Sequence, residues 1–339
     1  MKSINRDSRL PAILTTMAIL LSFSGTALAI DDGARAYWKT RDGSNVVSFQ
    51  SLNLNMQASG ALQFDPGQFI YPNTDVEANV FIANWARHMT LFNRASSFAV
   101  SLAGGSAQAD VRASAPTPFN PSGVAFTQSS SGYADPSVQL DINLIGTSKL
   151  KSTVDLLNYE PTWTVDAAVM VGVPLGEYDK DKLLNMGLNR WFARLALPVK
   201  YHFGVFSPGY MGSFELTPSV WVFAENDDFV GHKLENDPIL QLEAHLTQDF
   251  TRTFFGSVDL LYRSGFQSKI DGVEVGEELD IGNLGFTLNY TTTDNLMIST
   301  SFSPNVFGDD DVDNRIIRFQ FVYLWHQTSE NSKKLMHGH

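Results

Sequence analysis

The stretch WFARLALPVKYHF, residues 191–203, decides the fold. Trp191, Ala193, Leu195, Leu197, Val199, Tyr201 and Phe203 take the odd positions, while Arg194, Lys200 and His202 fall between them. A period of two belongs to a strand with one oily and one wet face. Residues 137–144, 163–173, 240–247, 254–263 and 317–325 repeat the pattern, setting Asp141, Asp166, Glu243, His245, Asp259, Arg263 and Arg318 on wet faces. A soluble β-sandwich also alternates, but it buries its aromatics in mid-strand. Here Trp191 stands at one end of its segment and Tyr201 with Phe203 at the other, and Trp163, Phe254 and Tyr262 also lie near strand ends. Aromatics at two levels fit the two interfaces of a membrane, and segments of about ten alternating residues fit a transmembrane β-barrel, which satisfies its backbone by closing on itself.

Twelve such segments are legible: 45–57, 75–90, 96–111, 135–146, 161–174, 191–204, 212–225, 238–250, 253–264, 277–290, 295–303 and 314–326, the first two being the least regular. The expected fold is therefore all-β, a transmembrane antiparallel barrel of about twelve strands spanning residues 45–326. An even count puts both termini on one side, with short periplasmic turns and longer extracellular loops. Two connections fit poorly: residues 147–160 are long for a turn, and the two-residue link 251–252 is assigned to the long-loop side.

Composition agrees with a membrane barrel. Of 339 residues only 18% are charged while 12% are aromatic, where a soluble surface needs about a quarter charged. The formal charge of −12 removes the basic footprint of a nucleic-acid binder, and the absence of cysteine removes disulfides, thiolate metal sites and cysteine nucleophiles. Lys2, Arg6 and Arg9, an apolar core at 12–23 and Ala27-Leu28-Ala29 predict a signal peptide over residues 1–29, cut before Ile30. Residues 30–44 then form a periplasmic segment too short to fill the lumen as a domain, and 327–339 a C-terminal tail.

Several residues carry a resemblance. Gly132, Asp135 and Pro136 at a strand start, Pro174, Gly176, Glu177 and Tyr178 in a loop, and the spaced Asn185, Gly187, Asn189, Arg190 and Trp191 resemble the outer-membrane family named for the MetA pathway of phenol degradation. Segments 237–250 and 307–313 add to it, so the likeness spans about residues 31–325. The resemblance implies an outer-membrane barrel that transports small molecules. One departure is at the end, where residues 326–339 follow Trp325.

The lumen candidates are Asp141, Asp166, Arg194, Lys200, His202, Glu243, His245, Asp259, Arg263 and Arg318, charges of both signs that either line a selective passage or form a static network. A cationic lining of Arg194, Lys200 and Arg318 is expected to favour aromatic carboxylates. The Pro/Ser/Gly-rich loop 112–134 is long enough to fold inward as a constriction, presenting Phe119, Phe126 and Tyr133. Asp309, Asp310, Asp311 and Asp313 begin like a calcium loop, but Asn314 and Gln320 stand where glycine and glutamate are required, so a solvated acidic loop is expected and no metal. His202, Glu243 and His245 permit a barrel hydrolase, yet no G-x-S-x-G motif exists and no catalytic residue is assigned. The reading is a channel without cofactor for small aromatic or hydrophobic molecules, with membrane lipid, lipopolysaccharide and the barrel-assembly machinery as partners. A barrel enzyme and a plugged structural barrel remain alternatives.

Overall fold

The computed structural model describes residues 32–58, 62–63, 69–70, 74–112, 122–147, 150–151, 155, 158–293, 295–308 and 312–326. The predicted signal peptide, the C-terminal tail, Phe119 and Asp309 to Asp311 lie outside them. Twelve antiparallel strands close into a barrel. They are β1 (Ser44–Ala58), β2 (Thr74–Leu91), β3 (Arg94–Val111), β4 (Phe126–Tyr133 continued by Ser137–Ile145), β5 (Trp163–Gly172) and β6 (Phe192–Ala196 continued by Val199–Gly204). The circuit goes on through β7 (Met211–Phe223), β8 (Ile239–Asp249), β9 (Phe254–Gly265), β10 (Leu279–Thr293), β11 (Leu296–Gly308) and β12 (Val312–His326). β1 pairs with β2 on one side and with β12 on the other, from Ser44 opposite His326 to Ala58 opposite Val312, which leaves no edge.

The sequence alternation sets the faces. Along β8 burial alternates strictly: Gln241, Glu243, His245, Thr247 and Asp249 are buried, whereas Leu240 is 61% and Leu246 53% exposed. Phe81, Leu195, Val258 and Phe319 are likewise exposed on the outer wall. Oily side chains outside and buried charges inside suit only a barrel surrounded by lipid. No helix among the described residues is long and apolar enough to cross a membrane, so the crossing is made by strands.

Both termini of the barrel lie at the end bearing the short turns. Phe92 and Asn93 there adopt φ of +48° and +62°, the conformation of a tight two-residue hairpin turn. Residues 250–253, which include the link assigned to the long-loop side, join β8 to β9 at this same short-turn end, so the alternation holds there. The expectation for loop 112–134 is corrected as well. Residues 126–133 are wall, paired with β3 from Val111 opposite Phe126 to Gly104 opposite Tyr133. Further along, Ser101 faces Ser137, so three residues of β4, Ala134 to Pro136, oppose two of β3, a bulge that bends the wall. At the long-loop end, the β7–β8 and β9–β10 connections form a four-stranded sheet of Asn226–Phe229, His232–Asn236, Ser268–Ile270 and Val273–Val275. Its Phe229, Leu234 and Ile270 pack against Val111 and Phe126 across the mouth.

Candidate functional site

The lumen has two halves of opposite chemistry. In the half nearer the short turns most inward side chains are polar and buried, beside a smaller apolar cluster in which Val46, Met211, Phe255, Met297, Val322 and Leu324 join Ala36, Tyr37 and Trp38. All ten sequence-predicted lumen residues face inward: Asp141, Asp166, Arg194, Lys200, His202, Glu243, His245, Asp259, Arg263 and Arg318. They do not line an open passage. Residues 32–42, expected in the periplasm, run inside the barrel, with Arg35, Tyr37, Trp38 and Lys39 all buried. The segment is too short for a folded domain, but a strip that turns at residues 34–37 and carries several ionic ties suffices.

Ties join segment residues to predicted or neighbouring wall charges, and further pairs link the wall charges to one another. Asp32 meets Arg194 at 2.7 Å, and Arg194 reaches on to Glu243 at 2.8 Å. Glu243 also accepts from the Asp32 amide at 2.9 Å, and the Tyr37 hydroxyl donates to Asp32 at 2.7 Å. Glu215 accepts from the Arg35 amide at 2.9 Å and from the Trp38 indole at 2.7 Å. The Arg35 guanidinium pairs with Asp249 at 2.8 Å and lies over the rings of Phe255 and Trp38, 3.9 and 4.4 Å from their centroids. Lys39 binds Asp141 and sits 3.5 Å from Asp166, while Lys200 binds Asp166 and donates to the Tyr37 carbonyl. His245 bridges Asp259 at 2.7 Å and Glu243 at 3.7 Å, and Arg263 donates to Gln241 at 2.8 Å. His202 packs edge-on to Trp38, ring centroids 5.0 Å apart. Buried charges of this kind persist only when paired, so the network both fills and locks this half.

That geometry corrects the expected cationic lining, since Arg194 and Lys200 are neutralised by carboxylates. Arg318 instead borders a small gap between Asp32, Gly33 and the β10–β12 wall, lined by Thr287, Asn289, Ser299, Ser301 and Gln320.

Nearer the long loops the inward side chains turn apolar. Leu52, Leu54 and Met56 of β1, Val76, Ala78 and Ile82 of β2, Met170, Phe192, Trp221, Ile239, Leu261, Leu279, Ile281, Val312 and Ile316 form one buried cluster inside the barrel. The loop that enters it is residues 173–191, which contribute Leu184 and Leu188. On β1 the in-and-out alternation continues unbroken while the polarity of the faces reverses: Phe49 faces out and Gln50 in, then Leu52, Leu54 and Met56 face in while Asn53 and Asn55 face out. This reversal is why the first two strands read as irregular.

The family-motif residues build the inserted loop. Asp135, at the β4 bulge, accepts from the amides of Gly176 and Leu188, each at 2.7 Å. Gly176 and Gly187 abut so closely that a Cβ on Gly176 would lie 2.7 Å from the Gly187 Cα. Asn185 closes a turn by accepting from the Asp179 amide at 2.7 Å and donating to the carbonyls of Asp179 and Lys182. Asn189, at φ +55°, donates to Asn226, which donates in turn to the Tyr178 hydroxyl. Burial pulls the neighbouring Arg190 down to about 10 and pushes the Tyr178 phenol up. Pro136 follows Asp135 in the bulge, and Trp191 lies half exposed on the outer surface. Beside the bulge, a cleft of about 750 Å³ lies on the outer wall among Phe49, Phe81, Leu102, Tyr133 and Leu175, with Gln50, Ile82 and Ala103 along its floor.

The fold and lumen define a transmembrane β-barrel. The pattern of the family described as MetA-pathway of phenol degradation matches residues 37–325, and the chain belongs to that family. Among solved structures, an outer membrane channel from Pseudomonas putida F1 is similar with a TM-score of 0.66 at 16% identity, covering 86% of this chain and 100% of that one. The β domain of the Bordetella autotransporter BrkA gives a TM-score of 0.46 at 7% identity, covering 83% and 100%. The Ralstonia pickettii toluene transporter TbuX gives 0.41 at 10%, covering 90% and 97%. No curated protein matches the sequence.

Proposed function

We propose that this protein is an outer-membrane channel for passive uptake of small hydrophobic molecules, aromatic ones above all. The observation that carries the reading is the apolar half of the lumen, in a class of barrel whose interior is ordinarily polar. An uncharged aromatic loses no hydrogen bonds among Met56, Met170, Phe192 and Trp221, whereas an ion or sugar does. The segment 32–42 closes the straight path, so the solute leaves the apolar half sideways, toward the largely apolar cleft on the outer wall beside the β4 bulge, where three residues of β4 oppose two of β3. Membrane lipid, lipopolysaccharide and the assembly machinery are the partners such a barrel requires.

A hydrolase reading has less support. The contacts of His245 are the carboxylates Asp259 and Glu243, and no hydroxyl among the described residues hydrogen-bonds His202. Proteoliposomes containing the purified barrel test the proposal. They are expected to take up toluene or phenol faster than protein-free vesicles and to show no swelling in sugars or amino acids. Swelling with hydrophilic solutes, and no gain in aromatic uptake, would refute it.

A further inference from the structure

On the outer surface at the long-loop end, apart from the lumen, lies a second cavity, of about 690 Å³. Its floor is made by two cross-strand rows of outward polar side chains. Glu77, Gln108 and Ser129 are direct partners across β2, β3 and β4, and Asn79, Ser106 and Ser131 form the row beside them. All six are exposed. The rim is the loop segment carrying Glu177, Asp179 and Lys182, fixed by the Asn185 turn. No hydrogen bond among the described residues engages the side chains of Glu77, Ser106, Ser131 or Glu177, so their donors and acceptors are open to a ligand.

We infer that this cleft is a binding site for an uncharged saccharide. Three carboxylates against one ammonium repel phosphates and other anions. No group of three or more carboxylate or histidine side chains among the described residues is placed to hold a metal ion, which removes a cation bridge. The floor has no large apolar side chain to hold a hydrocarbon. What it offers is hydroxyls, amides and carboxylates at cross-strand spacings of about 5 Å, a grid that matches alternate hydroxyls of a pyranose ring. Carboxylates accept from vicinal hydroxyl pairs, and the Ser, Asn and Gln groups both donate and accept, as a sugar hydroxyl does. Position agrees: Asn79 lies two residues from the outward Phe81 and Ser131 two from the outward Tyr133, about 7 Å beyond the oily band. That is the level at which sugars anchored to the membrane surface stand.

Such a sugar is either part of a glycolipid of the outer leaflet or a free saccharide, and the test separates them. Immobilised full-length protein in detergent is exposed to lipopolysaccharide whose core ends in neutral hexoses, to lipid A lacking all core sugars, and to the free neutral core oligosaccharide. Wild type is compared with Ser106→Trp, which fills the floor, and with the milder Gln108→Ala. Heat-modifiable migration verifies that each barrel is folded. Core-bearing lipopolysaccharide is expected to bind wild type at least about tenfold more tightly than Ser106→Trp, with Gln108→Ala between them, where tenfold corresponds to ~1.4 kcal/mol. Equal competition by the free oligosaccharide identifies a free-saccharide site, and binding of the anchored sugar alone identifies a glycolipid site. Equal binding to all three proteins, or lipid A binding as tightly as the core-bearing form, overturns the inference. The uptake assay is a separate readout, so failure here leaves the transport reading standing, and the converse also holds.

Discussion

The two halves of the lumen come from the same twelve strands yet solve opposite problems. Near the short turns, inward Asp141, Asp166, Glu215, Glu243 and Asp249 are matched one by one to Asp32–Lys39 or to wall cations, and little space is left but the gap beside Arg318. Near the long loops, inward Leu, Met, Ile and Trp side chains make an oily interior. A polar lumen can be plugged by charge pairing, because ionic ties are specific and strong where water is excluded. An apolar lumen receives a solute by the hydrophobic effect, which is non-directional and tolerant of shape. On the proposed function, one half seals the barrel and the other selects what it carries.

The sharpest way to break that contrast is to remove the seal. Deleting residues 32–42 is expected to raise single-channel conductance in planar bilayers by at least about tenfold, since a twelve-stranded barrel is wider than the eight-stranded ones that side chains alone can fill. Unchanged conductance would mean that these residues do not seal the barrel. Next in size is Arg194→Ala, which leaves Asp32 and Glu243 buried without their cation and is expected to cost about 3–5 kcal/mol in reversible urea unfolding. Leu195→Arg, one residue away on the lipid face, is expected to cost about 2–4 kcal/mol. From the sequence alone, replacing Arg194 should cost far less than Leu195→Arg; its two carboxylate partners reverse that order. If Arg194→Ala proves nearly silent, the ion pairs are not holding the segment.

Smaller effects sharpen the picture at the loop. Asp135→Asn replaces one of the two acceptors that receive the Gly176 and Leu188 amides and is expected to loosen residues 173–191 by about 1–3 kcal/mol. Faster hydrogen exchange in those residues alone, with the barrel strands unchanged, is the expected signature. Smallest of all, Arg318→Gln is expected to shift ion selectivity toward cations relative to wild type, and Lys200→Gln much less, because Arg318 borders the residual gap and Lys200 does not. A larger shift from Lys200→Gln would show that the paired lysine faces the permeating path.

Much of this architecture was legible because a barrel writes its faces directly into the sequence. Segments such as 191–203 and 240–247 alternate strictly, and each inward residue inferred from them does face inward. Three features were not legible, each for a physical reason. Residues 32–42 have no periodicity because they are tied by side chains, although Arg35, Tyr37, Trp38 and Lys39 close together were a sign that they have partners. Residues 126–133 are rich in Ser and sit beyond the oily band, so both their faces read as wet. The apolar half was hidden by the reversal on β1 and β2, where inward Leu52, Leu54 and Val76 look like lipid-facing residues in a strand shifted by one. Carrying the alternation unbroken from Phe49 sets Leu52 and Leu54 inside, where they are; it is their oily character, not their place in the alternation, that points to a lipid face.

The central claim is that an uncharged aromatic solute resides in the apolar half while the charged half only seals. Equilibrium binding of an alkylbenzene to the purified barrel tests it most directly, in wild type, in Ile316→Asp and in the protein lacking residues 32–42. Ile316→Asp places a carboxylate in the oily cluster and is expected to weaken binding at least about tenfold, a loss of ~1.4 kcal/mol or more, while the deletion leaves binding close to that of wild type. Binding that survives Ile316→Asp in a folded barrel, or that disappears with residues 32–42, would contradict it.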